Sequence, residues 1–258
     1  METQNQADRV DELYCRLSTL RPLSAGEFKR LLEQFAIRNT YNSNAIEGST
    51  LTLHETALII QEGITIAERP LKEHLEAIGH KDAFDFVVEL SRKNKPLELY
   101  DIKLIHSLVL MNDRQNAGVF RRVPVMIMGA SHTPPQPYLI EPMMESLVSE
   151  YNSSSDSFFD RLAKLHLDFE RIHPFIDGNG RTGRLIFNLE LLKGGYYPVD
   201  IKCTDKRRYY DAFENYHNSN SVDAMKALLL EYELSELEEY VAIVEQACDD
   251  TNSDEFEP

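Results

Sequence analysis

Twelve residues, 173–184 (His-Pro-Phe-Ile-Asp-Gly-Asn-Gly-Arg-Thr-Gly-Arg), separate two segments of helical periodicity and constrain how the chain folds around them. Upstream, apolar residues recur at helical spacing and predict a buried helix that ends near Ile172, because Pro174 disfavours helical geometry in the residue before it. Downstream, residues 181–193 predict a second helix. Gly178 and Gly180 permit the positive φ angles of a tight turn. The stretch therefore predicts a helix, a tight loop and a second helix.

The polar side chains of this stretch indicate a site for a polyphosphate, a metal and a base. Backbone N–H groups of a glycine-rich loop at a helix N-terminus bind anions. Arg181 and Arg184 are three residues apart and reach the same side of the first turn, and guanidinium groups suit phosphate. Asp177 is placed to hold Mg²⁺, and His173 to accept a proton from a hydroxyl. A helix cap alone would explain the glycines but not the other side chains. The pattern is neither a Walker A loop nor a Rossmann fingerprint.

Charge and cysteine content narrow the class of protein. The formal net charge of −16 argues against a nucleic-acid binder, which carries a basic face. Residues 231–258 contribute 11 acidic and no basic residues, so the rest of the chain carries −5. This acidic end is interpreted as a solvated helix face and a frayed terminus, with recruitment of a basic partner as the alternative. Three scattered cysteines, no membrane-length apolar run and no signal-peptide pattern predict a cytoplasmic protein without a membrane contact.

Helical periodicity recurs along the whole chain and predicts an all-α fold. Thr52 and Glu55 form a capping box that opens a short helix, which Gly63 ends. Other predicted helices cover residues 8–20, 24–47, 71–93, 97–111, 141–151, 205–218, 221–230 and 235–247. His74, His80 and His106 on these helices lack partners at metal-ligand spacing and are interpreted as surface or core histidines. His166 lies two turns before His173, too far to share one metal ion with it, and is interpreted as a residue that packs against the site or supports it.

One short region has a β pattern. Val123, Val125 and Ile127 alternate with other residues, residues 129–131 turn the chain, and Tyr138 begins a returning arm at 138–140. Prolines in both arms favour an edge element, to which an extended segment of another protein could add. The alternative is an ordinary covering hairpin.

Residues 173–184 match without a gap the signature His-Pro-Phe-x-Asp/Glu-Gly-Asn-Gly-Arg-x-x-Arg, and the chain thereby resembles the Fic family, roughly from Asn42 to Tyr232. Family members are typically protein adenylyltransferases, which move AMP from ATP to a protein hydroxyl. The resemblance implies an all-α, Fic-type helical bundle with one small β-hairpin flap. It also implies a nucleotidyltransferase that uses ATP as substrate and Mg²⁺ as cofactor, with Mn²⁺ as an alternative.

The resemblance assigns roles to individual residues. His173 is the catalytic base and Asp177 the metal ligand. The flap residues Val123, Val125 and Ile127 dock the target. The nucleotide-binding set is Gly178, Asn179, Gly180, Arg181, Arg184, Tyr209 and Tyr210. Adjacent tyrosines point about 100° apart on a helix, so at most one of the last two stacks on adenine.

A second motif, Ser43-x-x-x-Glu47-Gly48, resembles the inhibitory motif of family members that carry it on an N-terminal helix. By resemblance, Glu47 pairs with Arg184 and so blocks the guanidinium that would hold the terminal phosphates of the nucleotide. The alternative is that Glu47 is a solvated residue near a helix end.

These inferences divide the chain into an N-terminal helical region (1–96) with the inhibitory helix at about 25–48, a Fic core (97–232), and a C-terminal helix with an acidic tail (233–258). The expected partners are ATP, a target protein and the protein itself through self-modification, and a homo-oligomer is plausible by resemblance. Three alternatives stay open: removal of AMP from a modified protein with Glu47 positioning a water, transfer of UMP or a phosphoryl group, and a catalytically quiet binding module.

Overall fold

The computed structural model describes residues 2–20, 25–127 and 132–254. No residue in these three ranges lies in a strand, and the predicted all-α class is confirmed. In chain order the helices are α1 (Glu2–Thr19), α2 (Ala25–Ile46), α3 (Leu53–Glu62), α4 (Leu71–Ser91), α5 (Leu99–Val109), α6 (Pro137–Ser153), α7 (Phe158–Ile172), α8 (Asn179–Lys193), α9 (Lys206–Ser219) and α10 (Asp223–Asp254). A 3₁₀ turn, Cys203–Asp205, precedes α9.

Helix α8 lies at the centre of the bundle, where α4, α5, α7 and the end of α2 pack against it. Every residue of this helix from 181 to 191 is buried. Some of its polar side chains are hydrogen-bonded inside the protein. The Asn188 amide, for example, donates to the carbonyl of Val199 (3.0 Å) and accepts from its N–H (2.8 Å). The loop that precedes α8 is thus mounted on the most enclosed helix of the fold.

The ends of α3 follow from local sequence, as predicted. Thr52 and Glu55 form a complete capping box, with each side chain bonded to the backbone of the other residue. Gly63 ends the helix at φ 65°, and its N–H donates to the carbonyl of Ile59.

The C-terminal region corrects a prediction. Two helices, 221–230 and 235–247, were expected, but α10 runs without a break from Asp223 to Asp254. Its buried face continues across the expected interruption, from Leu229 to Leu237. Glu233, in the middle, is buried and accepts a hydrogen bond from Tyr14 of α1 (2.8 Å). The acidic end was expected to be a solvated helix face, but α1 packs along α10 and encloses Glu233 in the interface.

The predicted β-hairpin is not formed by the described residues. Residues 119–127 and 132–136 have no strand pairing, the predicted turn at 129–131 lies outside the described residues, and the expected returning arm at 138–140 is the first turn of α6. Proline explains both results, because Pro124, Pro134 and Pro135 have no N–H for a ladder, while Pro137 at the first helical position is preorganised for a helix. The Arg121 side chain joins the two arms instead: it donates to the carbonyls of Val123 (3.0 Å) and Pro135 (2.7 Å).

Over the ranges that the structure describes, no helix is both long and apolar enough to cross a membrane.

Candidate active site

The loop between α7 and α8 has the predicted tight form. His173 ends α7 in the left-handed region (φ 49°), and Gly178 precedes α8 at φ 76°. The buried Asn179 side chain closes the loop, since its amide donates to the Phe175 carbonyl (3.0 Å) and accepts from the Phe175 N–H (2.9 Å). The Asn179 carboxamide therefore holds the shape of the loop. The groups available to bind an anion are the first backbone N–H groups of α8.

His106 of α5 packs against this loop and hydrogen-bonds to it. Its position in the sequence did not indicate this role. Its Nδ1 accepts from the Gly118 N–H (2.8 Å), so Nε2 carries the proton and donates to the carbonyl of Asp177 (2.9 Å). Its ring stacks on Phe175 at 3.6 Å between centroids. Burial lowers its pKa to about 4. Of the two expected locations for His106, surface or core, the structure has the core, and its packing partner is the loop itself.

Arg184 is buried and bound to the end of α2. Its Nε donates to Ser43 Oγ (2.9 Å), and its Nη2 donates to the Ser43 carbonyl (2.9 Å) and to Glu47 Oε1 (2.6 Å). Burial alone would lower the pKa of Arg184, but the Glu47 carboxylate raises it above its usual value. The side chain of Arg184 is 2% exposed and that of Glu47 is 34% exposed, so the pair is open to solvent on the glutamate side.

Glu47 also lies against the first turn of α8. A Cβ atom at position 180 would collide with Glu47 Oε1, so glycine is what permits the approach. The carboxylate thus occupies space at the N-terminus of α8, where the helix dipole and free N–H groups favour an anion.

Asp177 and Arg181 stand on the other side of this space. Arg181 Nη2 lies 3.2 Å from Asp177 Oδ1, and its Nη1 lies 3.0 Å from Glu76 Oε1. Asp177 is half exposed, and Lys72 Nζ is 3.9 Å from its Oδ2. Residues 47–49, the start of α4 (70–76), Asp177 and Arg181 line a cavity of about 250 Å³. A larger cavity of about 330 Å³, against Arg38 and Tyr240, lies away from these groups.

His173 points into the site as a neutral base. Burial, and then the nearby Arg121, lower the pKa of its imidazole to about 4. Arg121 is itself a buried guanidinium that bonds to backbone carbonyls, including that of His173 (2.8 Å). Arg121 therefore joins Pro135, the arm at 121–123 and the loop between α7 and α8, and the sequence pattern did not indicate this.

The two adjacent tyrosines of α9, Tyr209 and Tyr210, differ in burial. Tyr209 is 1% exposed, and its hydroxyl lies 2.6 Å from His166 Nε2 and 3.5 Å from Arg184 Nη1. Tyr210 is 40% exposed, with Lys206 Nζ 5.6 Å from its ring centre. Tyr209 is thus a packing residue, and Tyr210 has the more accessible ring.

The flap residues are less enclosed than the loop. Val123 is 51% exposed, and Val125 and Ile127 are half-buried. Val123 is joined to the catalytic loop through Arg121.

Comparison with known proteins agrees with this geometry. Residues 96–191 match the model of the Fic/DOC family. Over 213 residues the chain is 32% identical to the protein adenylyltransferase Fic of Nematostella vectensis and 34% identical to that of Aedes aegypti, in each case over 81% of this chain. It covers 49% and 42% of those proteins, so the chain spans about half the length of the curated relatives it matches.

Two solved structures are similar over most of their length. A Fic domain containing signaling protein from Bacteroides thetaiotaomicron superposes with a TM-score of 0.83 at 25% identity, over 92% of this chain and 97% of that one. A fragment of Fic-1 from Caenorhabditis elegans gives 0.82 at 25% identity, over 95% and 72%. With the signature loop joined to α8, these similarities establish that residues 96–191 form a domain of the Fic/DOC family.

Proposed function

We propose that this protein is an adenylyltransferase that transfers AMP from ATP to a Ser, Thr or Tyr hydroxyl of a target protein and of itself. Its curated relatives carry that name. The observation that supports the proposal most is the grouping of a neutral imidazole (His173), a half-exposed carboxylate (Asp177) and a buried guanidinium (Arg184) around the N-terminus of one helix.

The proposed step follows from those groups. His173 Nε2 accepts the proton of the attacking hydroxyl, whose oxygen forms a bond to the α-phosphorus while the bond to the pyrophosphate oxygen breaks. Residues 178–180 bind the α-phosphate through backbone N–H groups, together with Arg181, and Arg184 binds the distal phosphates and aligns the leaving group. Tyr210 supplies the ring that stacks on adenine. Positioning and charge neutralisation provide most of the rate in such reactions.

Asp177 would hold Mg²⁺, or Mn²⁺ in its place. The fit is supported by its half-exposed carboxylate on the wall of the cavity. Among the described residues, no group of three or more His, Cys, Asp or Glu side chains could hold a metal alone. This arrangement suits Mg²⁺, which takes one or two carboxylates and completes its coordination with substrate phosphates and water. When bound, the ion would neutralise phosphate charge.

Glu47 is proposed to act as an autoinhibitory latch, with Ser43 fixing the arginine that it blocks. The Glu47 carboxylate takes the Nη2 donor of Arg184 and stands at the N-terminus of α8. A terminal phosphate needs the same donor and the same space, and the carboxylate repels its charge.

The proposal also includes expectations about target docking, domain division, cellular location and self-association. The arms around 123–127 dock an extended segment of the target, and the chain divides at about residues 96 and 232 into an N-terminal inhibitory region, a catalytic core and a C-terminal extension. The protein works in the cytoplasm on ATP and protein substrates, and it self-associates.

The test is label transfer from ATP carrying ³²P on the α-phosphate, with ATP labelled on the γ-phosphate and UTP labelled on the α-phosphate in parallel. The wild type, Glu47→Gly, and Glu47→Gly combined with His173→Ala are compared on a lysate and on the protein alone. Label from the α-phosphate of ATP that depends on His173 supports AMP transfer. Label from the γ-phosphate or from UTP would show that another group is transferred. Loss of label from a pre-modified target would show that the protein removes AMP. No change with any substrate would indicate a catalytically quiet binding module.

A further inference from the structure

A second buried carboxyl group lies beside the base. Glu170 is in the last turn of α7, three residues before His173, and its side chain is 13% exposed. Its Oε2 is 3.7 Å from His173 Nδ1. Within the described part of the chain, neither Glu170 Oε1 nor His173 Nδ1 has a hydrogen-bond partner. Two buried, complementary polar groups thus face each other without a bond, which is an unusual arrangement unless another state of the site brings them together.

The position of Glu170 is held from the side of α8. A Cβ atom at position 183 would lie 2.7 Å from Glu170 Oε1, so Gly183 provides the space that the carboxyl group fills. The backbone carbonyl of Glu170 also faces the imidazole, without hydrogen-bond geometry. The charged groups that act on Glu170 are Glu47 and Arg184, and those that act on His173 are Arg121, Glu47 and Asp177.

The protonation of Glu170 accounts for the 3.7 Å separation between its Oε2 and His173 Nδ1. Burial, and then the negative charge of Glu47, raise its pKa to about 8, so the carboxyl group holds its proton at neutral pH while the latch is closed. A neutral carboxyl group attracts the imidazole Nδ1–H weakly. When Glu47 leaves, one of the two causes of the raised pKa leaves with it, and the carboxyl group can ionise. Catalytic hydrogen bonds are often long in a free enzyme and tighten in the working complex.

We propose that Glu170 is a positioning residue for His173, whose carboxylate accepts a hydrogen bond from Nδ1–H and so leaves Nε2 free to take the proton of the attacking hydroxyl. This inference rests on the proposed transfer reaction and adds a partner that the family motif does not include. In the step, the hydroxyl proton moves to Nε2 as the oxygen bonds to phosphorus and pyrophosphate departs. The resulting imidazolium keeps its Nδ1–H on the Glu170 carboxylate, as in a Ser-His-Asp triad.

The test compares Glu170→Gln and Glu170→Ala in the Glu47→Gly background, with Glu89→Gln, an exposed glutamate on α4, as the matched control. Glutamine keeps a hydrogen-bond acceptor but cannot stabilise an imidazolium, and alanine removes both. We expect kcat to fall about 10- to 100-fold in Glu170→Gln, the range seen when hydrogen-bonding partners of metal-ligating histidines are lost, and further in Glu170→Ala. The KM for ATP should stay unchanged, and the acidic limb of the kcat profile should move to lower pH. The control should change none of these.

A second measurement does not depend on transfer. In protein labelled with ¹⁵N-histidine, the His173 ring should be the Nδ1–H tautomer in Glu47→Gly, and its pKa should fall in the Glu170→Gln variant. Unchanged kcat, unchanged acidic limb and an unchanged ring titration would overturn the proposal and assign the orientation of the ring to the backbone carbonyl. If no variant transfers label from any nucleotide while the ring titration still responds to Glu170, the proposed function fails and the pairing stands.

Discussion

The Glu47→Gly substitution is the sharpest test of the proposed latch. It removes the carboxylate from Arg184 and leaves the two hydrogen bonds of that arginine to Ser43, both 2.9 Å. Arg184 therefore stays in place while its Nη2 donor and the space over Gly180 become free. Arg184→Ala should not reproduce the effect, because it removes the latch and the phosphate clamp together.

The expected magnitude follows from the lost contact. A hydrogen bond between charged groups contributes about 1.5–3 kcal/mol net, and each 1.4 kcal/mol is roughly a factor of ten. Keeping ~99% of molecules latched requires about 2.7 kcal/mol, inside that range. Glu47 is 34% exposed, so water screens part of the attraction. We expect AMP transfer to rise about 10- to 100-fold in Glu47→Gly, and less in Glu47→Gln, which keeps an uncharged acceptor.

The chain supplies a matched control. Glu62 ends α3 and is followed by Gly63 at φ 65°, just as Glu47 follows α2 and precedes Gly48 at φ 100°. Glu62→Gly makes the same chemical change at a helix end, away from Arg184, and should leave the rate unchanged.

The assay is the initial rate of label transfer at saturating ATP, with ATP affinity measured separately. Equal rates for the wild type and Glu47→Gly would refute the latch. An equal rise in Glu62→Gly would assign the effect to helix-end flexibility. Activity in Glu47→Gly combined with His173→Ala would refute the catalytic assignment as well.

Three further outcomes are expected. His173→Ala should lower transfer about 10²- to 10⁴-fold with ATP binding and thermal stability nearly intact, and transfer at the parental rate would remove the base from the mechanism. Asp177→Ala should raise the Mg²⁺ concentration needed for half-maximal transfer or abolish turnover, whereas an unchanged Mg²⁺ titration would exclude this carboxylate as the ligand. Burial raises the pKa of Glu233 to about 8, above its unfolded value near 4.5, so its contribution to stability is complete below about pH 4.5 and falls as pH rises to 8. Glu233→Gln keeps an acceptor for Tyr14 and Tyr197. This variant should have a higher Tm than the wild type at pH 8 and an equal Tm at pH 4.5, with each kcal/mol of stability shifting Tm by roughly 2–4 °C. An equal Tm at pH 8 would contradict the buried, protonated carboxyl group.

Short-range rules in the sequence determined the elements next to the site. Pro174 and Gly178 set the end of α7 and the start of α8, and Thr52 with Gly63 set the bounds of α3. These outcomes depend on φ preferences and hydrogen bonds within a few residues, which are the same in any surrounding. The signature motif likewise indicated its own functional side chains, since its residues lie in one loop and in the first turns of α8.

The tertiary structure decided which partners those side chains have. Glu47 and Arg184 meet across 137 positions of sequence, and the pair was predicted only through the family resemblance. No local pattern separated the buried Tyr209 from Tyr210, or indicated that His106 and Arg121 hold the loop. Burial of a given face depends on which helices pack on it, and that depends on the whole chain.

The dependence of burial and pairing on distant segments also explains the incorrect predictions for the hairpin and for the acidic C-terminal region. The valine alternation at 123–127 favoured strands, but a ladder needs a partner with free N–H groups, and the prolines of the facing arm do not supply them. The acidic residues of 231–258 indicated a solvated helix face, but α1 covers α10 at Glu233, and Tyr14 donates a hydrogen bond to that carboxyl group. The sequence by itself determined the helices and the chemistry of the loop. Only the tertiary structure decided which carboxylates, Glu47 and Glu170, stand beside that loop, because charge pairing at a buried site is a property of packing between distant segments.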